Sequence, residues 1–163
     1  MGLLKLYEES IARFAAGAAD DLGRLLMSAA SAVSGATLAA LASEGHPVIH
    51  PSHVALFAHI DPGGTSITAL AERAGVSRQA MSVVVRELEP LGYVATSPDP
   101  QDRRATRVTL TALGARFCED ATATSDRITR EWAVSLGDQG IDDLRAVLRL
   151  LASHPAEKGR PSG

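Results

Sequence analysis

Cysteine occurs once in the 163 residues, at Cys118, so no internal disulfide can staple the chain, and a reducing compartment is expected. Aromatic residues make up only 4% against 45% hydrophobic residues, so the core must be aliphatic and alanine-rich. No run of eighteen apolar residues free of charge stands out, and no membrane-spanning segment is expected. A basic start followed by a short apolar core and a cleavage site is also lacking, so the expectation is a cytoplasmic protein without a signal peptide. There is no phosphate-binding glycine loop and no G-x-S-x-G, and the serines and histidines show no triad spacing. These absences argue against an enzyme, and no cofactor is expected.

A basic surplus is missing as well. The net charge is −3 with a pI near 5.9, which argues mildly against a nucleic-acid binder. The charges are unevenly spread, however. Residues 1–63 carry three basic and six acidic groups, residues 64–111 six and five, and residues 112–163 seven and eight. The middle is the least acidic part, and its arginines are concentrated there in two places.

That middle begins with two short amphipathic patterns. Ile67, Leu70, Ala71 and Ala74 recur at i, i+3, i+4 and i+7, one face of a helix. Ser66 can cap this helix, although the acid that would complete a capping box is replaced by Ala69. Gly75 supplies the turn. Ser77 is placed to cap a second helix, with Met81, Val84, Val85 and Leu88 on its buried side. Arg78, Gln79, Ser82, Val83 and Arg86 lie away from that stripe. Arginine can pair with guanine and glutamine with adenine, and a valine can touch a thymine methyl or simply pack. Ser66, Ser77 and Ser82 can reach phosphate or base. Pro90 ends or kinks the helix.

Two strand-like runs follow, Tyr93 to Ser97 and Thr106 to Leu110, rich in β-branched residues. Between them Pro98 and Pro100 stiffen a tip that carries Asp102, Arg103 and Arg104. Arginine at the end of a thin β-ribbon suits a minor groove, where negative potential is strongest when the groove is narrow. The order predicts a helix-turn-helix followed by a wing, a unit that sets one helix in the major groove of DNA.

LAERAGVS, RELEPLGYV and above all DPQDRRATRVTLTALG resemble the MarR (multiple antibiotic resistance regulator) family of winged-helix transcription factors. The match is closest from about Ser66 to Gly114. The resemblance implies that Arg104 enters the minor groove and that Asp102 orients it. It implies a homodimer on a palindromic operator, most often a repressor. It also implies release by a small lipophilic or phenolic ligand held between dimerisation helices and winged helix, here around Leu26, Val33, His53, Phe57 and Phe117. Val83 stands where the family often has a basic or polar residue, and Glu87 near another basic position.

The flanks are expected to be helical. Leu3, Leu6, Tyr7, Ile11 and Phe14 form one stripe, and Leu22, Leu25, Leu26, Ala29 and Val33 another, with Gly17 interrupting. Glu44 to Pro51 reads as a linker, and Ser52 as the cap of a short helix to about Ile60. Thr111 can cap the next helix, and Leu113, Phe117, Ala121, Ile128, Trp132 and Leu136 suit a helix of about 25 residues. A last helix carries Ile141, Leu144, Val147, Leu148 and Leu151. The fold class is mainly α with a small β-wing. The organisation expected is 1–45 for N-terminal dimerisation helices, 50–111 for the DNA-binding region, 112–153 for C-terminal dimerisation helices and 154–163 for a loose tail.

Blander readings stand beside these. The arginine face could be an ordinary solvated surface, or meet a protein rather than DNA. His46, His50, His53 and His59 crowd together, but no cysteine or carboxylate set completes a metal site, and polar loop or pocket roles fit better. Cys118, flanked by Glu119 and Asp120, reads as a small core residue rather than a redox sensor. Trp132 reads as core or interface.

Overall fold

The structure, a computed structural model, describes residues 2–17, 21–100, 102 and 104–153. Arg103 and the tail 154–163 lie outside the described residues, as do the side chains of Leu3, Leu6 and Phe14. The chain divides into two compact units, Met1–Asp120 and Ala121–Gly163.

The first unit runs α1 (Gly2–Gly17), α2 (Leu22–Ser43), α3 (Pro51–His59), β1 (Thr65–Ser66), α4 (Ile67–Ala74), α5 (Arg78–Leu88), β2 (Val94–Pro98), β3 (Thr106–Leu110) and the start of α6 (Ala112–Ser153). This is the expected mainly helical chain with a small sheet. Its core is the meeting of three helical stripes with the sheet. Leu56 of α3, Leu70 and Ala71 of α4, and Met81, Val84, Val85 and Leu88 of α5 are buried, together with Tyr93, Val94, Val108 and Phe117. Burial of these side chains, each worth about 1.5–3 kcal/mol when fully removed from water, is what positions α5.

Local chemistry sets the element ends. Asp21 caps α2 by accepting the Arg24 N–H at 2.9 Å. α2 continues through Gly23 and Gly35 without a break. Ser52 is not the cap of α3. His50 takes that place with Pro51 in the first turn, where the missing proline N–H has no helical partner to lose. The sheet is antiparallel in the order β1-β3-β2. β1, only two residues long, was not foreseen, because so short a run carries no alternation to read.

α2 corrects the hydropathy expectation. By length and composition it is long and apolar enough to cross a membrane, with a mean hydropathy of 1.7 over its best window. Leu25 to Ser43 carries no charge at all, and serines and a threonine interrupt it without making it hydrophilic. The Thr37 hydroxyl donates to the Val33 carbonyl at 2.8 Å, so its polarity is spent within the helix.

In the second unit α6 is broken at one residue. Gly137 sits at φ 71°, ψ 162°, outside helical geometry, so a longer and a shorter helix follow one another as the spacing predicts. Asp142 accepts from Arg145 at 3.0 Å and Asp143 from Gln139 at 2.8 Å. Trp132 is 38% exposed, as are Leu144 and Val147 in part.

Candidate nucleic-acid interface

Two caps and a left-handed glycine build the helix-turn-helix. Ser66 Oγ accepts the Ala69 N–H at 3.2 Å, and Ser77 Oγ accepts the Ala80 N–H at 3.1 Å. Gly75 between them lies at φ 67°, a region that L side chains seldom adopt, and its N–H closes on the carbonyls of Ala71 and Glu72. Each serine hydroxyl keeps a hydrogen to donate outward beside a helix N-terminus, where backbone N–H groups favour anions.

With its stripe buried, α5 leaves Arg78, Gln79, Val83 and Arg86 exposed and Ser82 half-buried. Ser82 Oγ donates to the Arg78 carbonyl at 2.8 Å. Arg73 and Arg107 are engaged elsewhere, with Asp61 at 2.9 Å and Asp99 at 3.5 Å. Arg78, Arg86 and Arg104, by contrast, make no ion pair among the described residues.

The wing is the β2–β3 hairpin, registered Val94 opposite Leu110 through Pro98 opposite Thr106. Its tip closes on its own backbone. The Asp99 N–H donates to the Ala105 carbonyl at 2.9 Å and the Ala105 N–H to the Asp102 carbonyl at 2.8 Å. Asp102 Oδ1 accepts the Arg104 N–H at 2.9 Å. Asp102 thus acts on the main chain of Arg104, fixing the point from which its side chain departs.

Several anchors were not visible in the sequence. Arg107 reaches back from β3, with Nε on the Gly63 carbonyl at 2.9 Å, and ties the wing to the turn before β1. Glu89 Oε1, just past α5, accepts both the N–H and the hydroxyl of Thr96 in β2. Thr111 does cap α6 as its position suggests, accepting the Gly114 N–H at 3.1 Å, while the donation of its hydroxyl to the Gly92 carbonyl was not foreseen. Gly114 is there for space. A Cβ on it would stand 2.1 Å from the Tyr93 carbonyl oxygen. The T-x-x-G spacing is the trace of that approach, and a close backbone crossing is its physical content.

Beneath the interface lies a polar and aromatic layer. His53 Nδ1 accepts the His50 N–H at 3.2 Å, so its Nε2–H is the donor to Glu87 Oε2 at 3.0 Å. The acid on the recognition helix is therefore held by a buried imidazole. His46 lies between the Tyr93 hydroxyl at 2.9 Å and Asp120 Oδ2 at 3.0 Å, and is itself buried. Phe57 and Phe117 pack at a tilt of 46° with ring centroids 4.3 Å apart, and Tyr93 and His46 meet Phe117 edge-on. Of the five residues suggested for a ligand, Phe57 and Phe117 are in contact, His53 is turned to Glu87, and Leu26 and Val33 stand half-buried on α2. Burial pushes the Tyr93 hydroxyl pKa up. Burial, then Glu119, pushes the Cys118 thiol up too, the opposite of what a reactive thiolate needs.

Residues 49–105, the stretch from before α3 to the wing tip, match the MarR family model. Over that stretch the chain is similar to the MarR family, and solved MarR-family structures share its fold. A transcriptional regulator of this family from Rhodococcus sp. RHA1 superposes with a TM-score of 0.67 at 26% identity, over 82% of this chain and 93% of that one. CouR from Rhodococcus jostii RHA1, bound to p-coumaroyl-CoA, gives 0.65 at 26% identity over 83% and 94%. CouR as a transcriptional repressor bound to a 23-mer DNA duplex gives 0.65, over 80% and 92%. Among curated proteins, the transcriptional activatory protein BadR of Rhodopseudomonas palustris is 34% identical over 88 residues, 54% of this chain and 49% of BadR. The chain spans about half the length of that curated relative. The MarR match covers the helix-turn-helix and the wing as far as Ala105, so it includes the Arg78 to Arg86 face and the Asp102 to Arg104 tip.

Proposed function

We propose that this chain is a sequence-specific DNA-binding transcriptional regulator of the MarR type, acting as a homodimer. The observation that carries the reading is the contrast among its arginines. In the winged helix, those on the scaffold are paired, while Arg78 and Arg86 on α5 and Arg104 on the wing keep their charge for a partner. A bidentate arginine and a glutamine at the N-terminal end of α5 have the chemistry of base readout, and the wing arginine that of a minor groove.

A near-neutral winged helix binds DNA weakly in one copy, and two copies at a fixed spacing answer this. Tyr7, Ile11, Leu22 and Leu25 in the first unit, and Val147 and Leu148 in the second, are exposed apolar side chains that a second copy would cover. Two recognition helices about 34 Å apart would read a palindromic operator. The sign we propose is repression, as in CouR; an activator such as BadR would use the same surface. Release by a small lipophilic or phenolic molecule fits the aromatic layer of Phe57, Tyr93 and Phe117, and such a ligand would shift the dimer by its differential affinity for two spacings.

Gel-shift titration on the upstream region of its gene, at several salt concentrations, tests the reading. A specific complex whose affinity falls steeply with salt is expected. Arg104→Ala should weaken binding about tenfold on all sequences, while Arg78→Ala should relax base preference by about 1–3 kcal/mol. Absence of a complex at micromolar protein would leave the protein-interaction reading, with the same face meeting a protein.

A further inference from the structure

β2 is an edge strand, since the sheet order is β1-β3-β2. The Asp99 N–H bonds the Ala105 carbonyl and the Thr111 N–H bonds the Tyr93 carbonyl, so the odd-numbered residues of this stretch face β3. Val94, Thr96 and Pro98 therefore turn their main chain to the free edge. Pro98 has no N–H to offer there. The Thr96 N–H is taken, at 3.1 Å, by Glu89 Oε1, which also accepts the Thr96 hydroxyl at 2.6 Å. An open edge is thus closed at two successive positions, one of them by a side chain rising from the end of the recognition helix.

Glu89 stands where helix electrostatics disfavour it. It is the C-terminal cap of α5, at the end that carries partial negative charge. Charge-assisted hydrogen bonds to Thr96 compensate, and their effect is mechanical, because no other side chain among the described residues bonds the end of α5 to β2. The wing is a lever. From Thr96 to the tip near Arg104 is roughly 15 Å at the rise of a strand. A tilt of roughly 15° at its base would move the tip by roughly 4 Å, most of the width of a minor groove about 6 Å across.

We propose that Glu89 is a positioning residue that locks the wing to the recognition helix, so that Arg104 and the Arg78–Gln79 end of α5 address one DNA duplex together. The proposal rests on the DNA-binding reading and adds to it which contact sets the angle between its two reading elements.

The test uses the full chain and has two arms. Without DNA, amide exchange by NMR should show Thr96 exchanging about tenfold faster in Glu89→Ala, the loss of one hydrogen bond to a charged group, with Ala95 and Ser97 unchanged. With an operator fragment, Glu89→Ala should lose hydroxyl-radical protection in the minor groove and keep methylation protection of major-groove guanines. Glu89→Gln, which retains the accepting oxygen, should restore both the exchange rate and the minor-groove footprint, a rescue that a general loss of stability would not show. If Glu89→Ala fails to fold, Thr96→Val removes the hydroxyl bond alone and should still weaken the minor-groove footprint. Unchanged Thr96 exchange, or a retained wing footprint in folded Glu89→Ala, overturns the lock. A wild-type chain that binds no DNA overturns the DNA-binding reading instead, while the exchange arm still decides whether Glu89 holds the wing.

Discussion

The recognition helix and the wing carry similar free cations but are held by opposite means. α5 is held by grease: Met81, Val84, Val85 and Leu88 are all buried, and Ser77, Glu87 and Glu89 give it polar anchors towards its ends. The wing buries Val94 and Val108 at its base and is otherwise held by hydrogen bonds and charge. Apolar burial is non-directional, whereas single hydrogen bonds fix direction and are individually weak. Helix position should therefore resist polar substitutions, and wing position should depend on a few of them.

The largest effect is expected where the two elements share an anchor. Gly114 lets α6 cross the Tyr93 backbone, which lies between α5 and β2. In Gly114→Ala the new methyl would meet the Tyr93 carbonyl oxygen at 2.1 Å and its carbon at 3.1 Å, both main chain and unable to swing away. Overpacking of this kind costs about 3 kcal/mol or more. Urea unfolding should show the loss, and a variant with wild-type stability would mean that α6 does not depend on this crossing.

A pair of variants separates the two modes of attachment. Leu88→Ala removes a fully buried side chain from α5 and should cost about 3 kcal/mol of global stability. Arg107→Met keeps the apolar stem but removes the guanidinium, and with it the donor to the Gly63 carbonyl and the partner of Asp99. Its cost should be about 1 kcal/mol. Accelerated amide exchange should appear in β1 and β3 before it appears in α5. Equal exchange changes in both elements for both variants would erase the distinction.

The same division explains what the sequence disclosed. The stripes of α4 and α5, the caps Ser66 and Ser77 and the turn at Gly75 are local and periodic, so residue spacing alone places them. Glu89–Thr96, Arg107–Gly63 and His53–Glu87 join residues 7, 44 and 34 positions apart, and nothing in a linear pattern pairs them. The wing tip lies between the two cases. DPQDRRA was legible as a motif, yet the role of Asp102 in fixing the Arg104 main chain came only with the hairpin closed. Ser52 was misread as a cap because a serine before an apolar run outweighed the histidine–proline pair ahead of it. α2 was misread because uncharged small polar residues were counted as if they made a segment hydrophilic.

The smallest expected effect lies in the turn that Arg107 reaches. Asp61 accepts from Arg73 at 2.9 Å and from the Thr65 hydroxyl at 3.1 Å. The hydrogen bond from Arg73, then that from Thr65, holds the Asp61 carboxyl below its ordinary value of 3.8. A carboxyl lowered on folding adds stability above its unfolded pKa, and that addition is lost as the pH falls through the folded value. Wild type should therefore lose part of its advantage over Asp61→Asn as the pH falls below about 4. The group is exposed, so the effect should be slight and should shrink further with added salt. Urea midpoints for the two proteins between pH 6 and pH 2.5 measure it. A gap that stays constant across that range would show that the charge on Asp61 has no part in holding the turn before β1, which would then rest on its neutral hydrogen bonds and on Arg107.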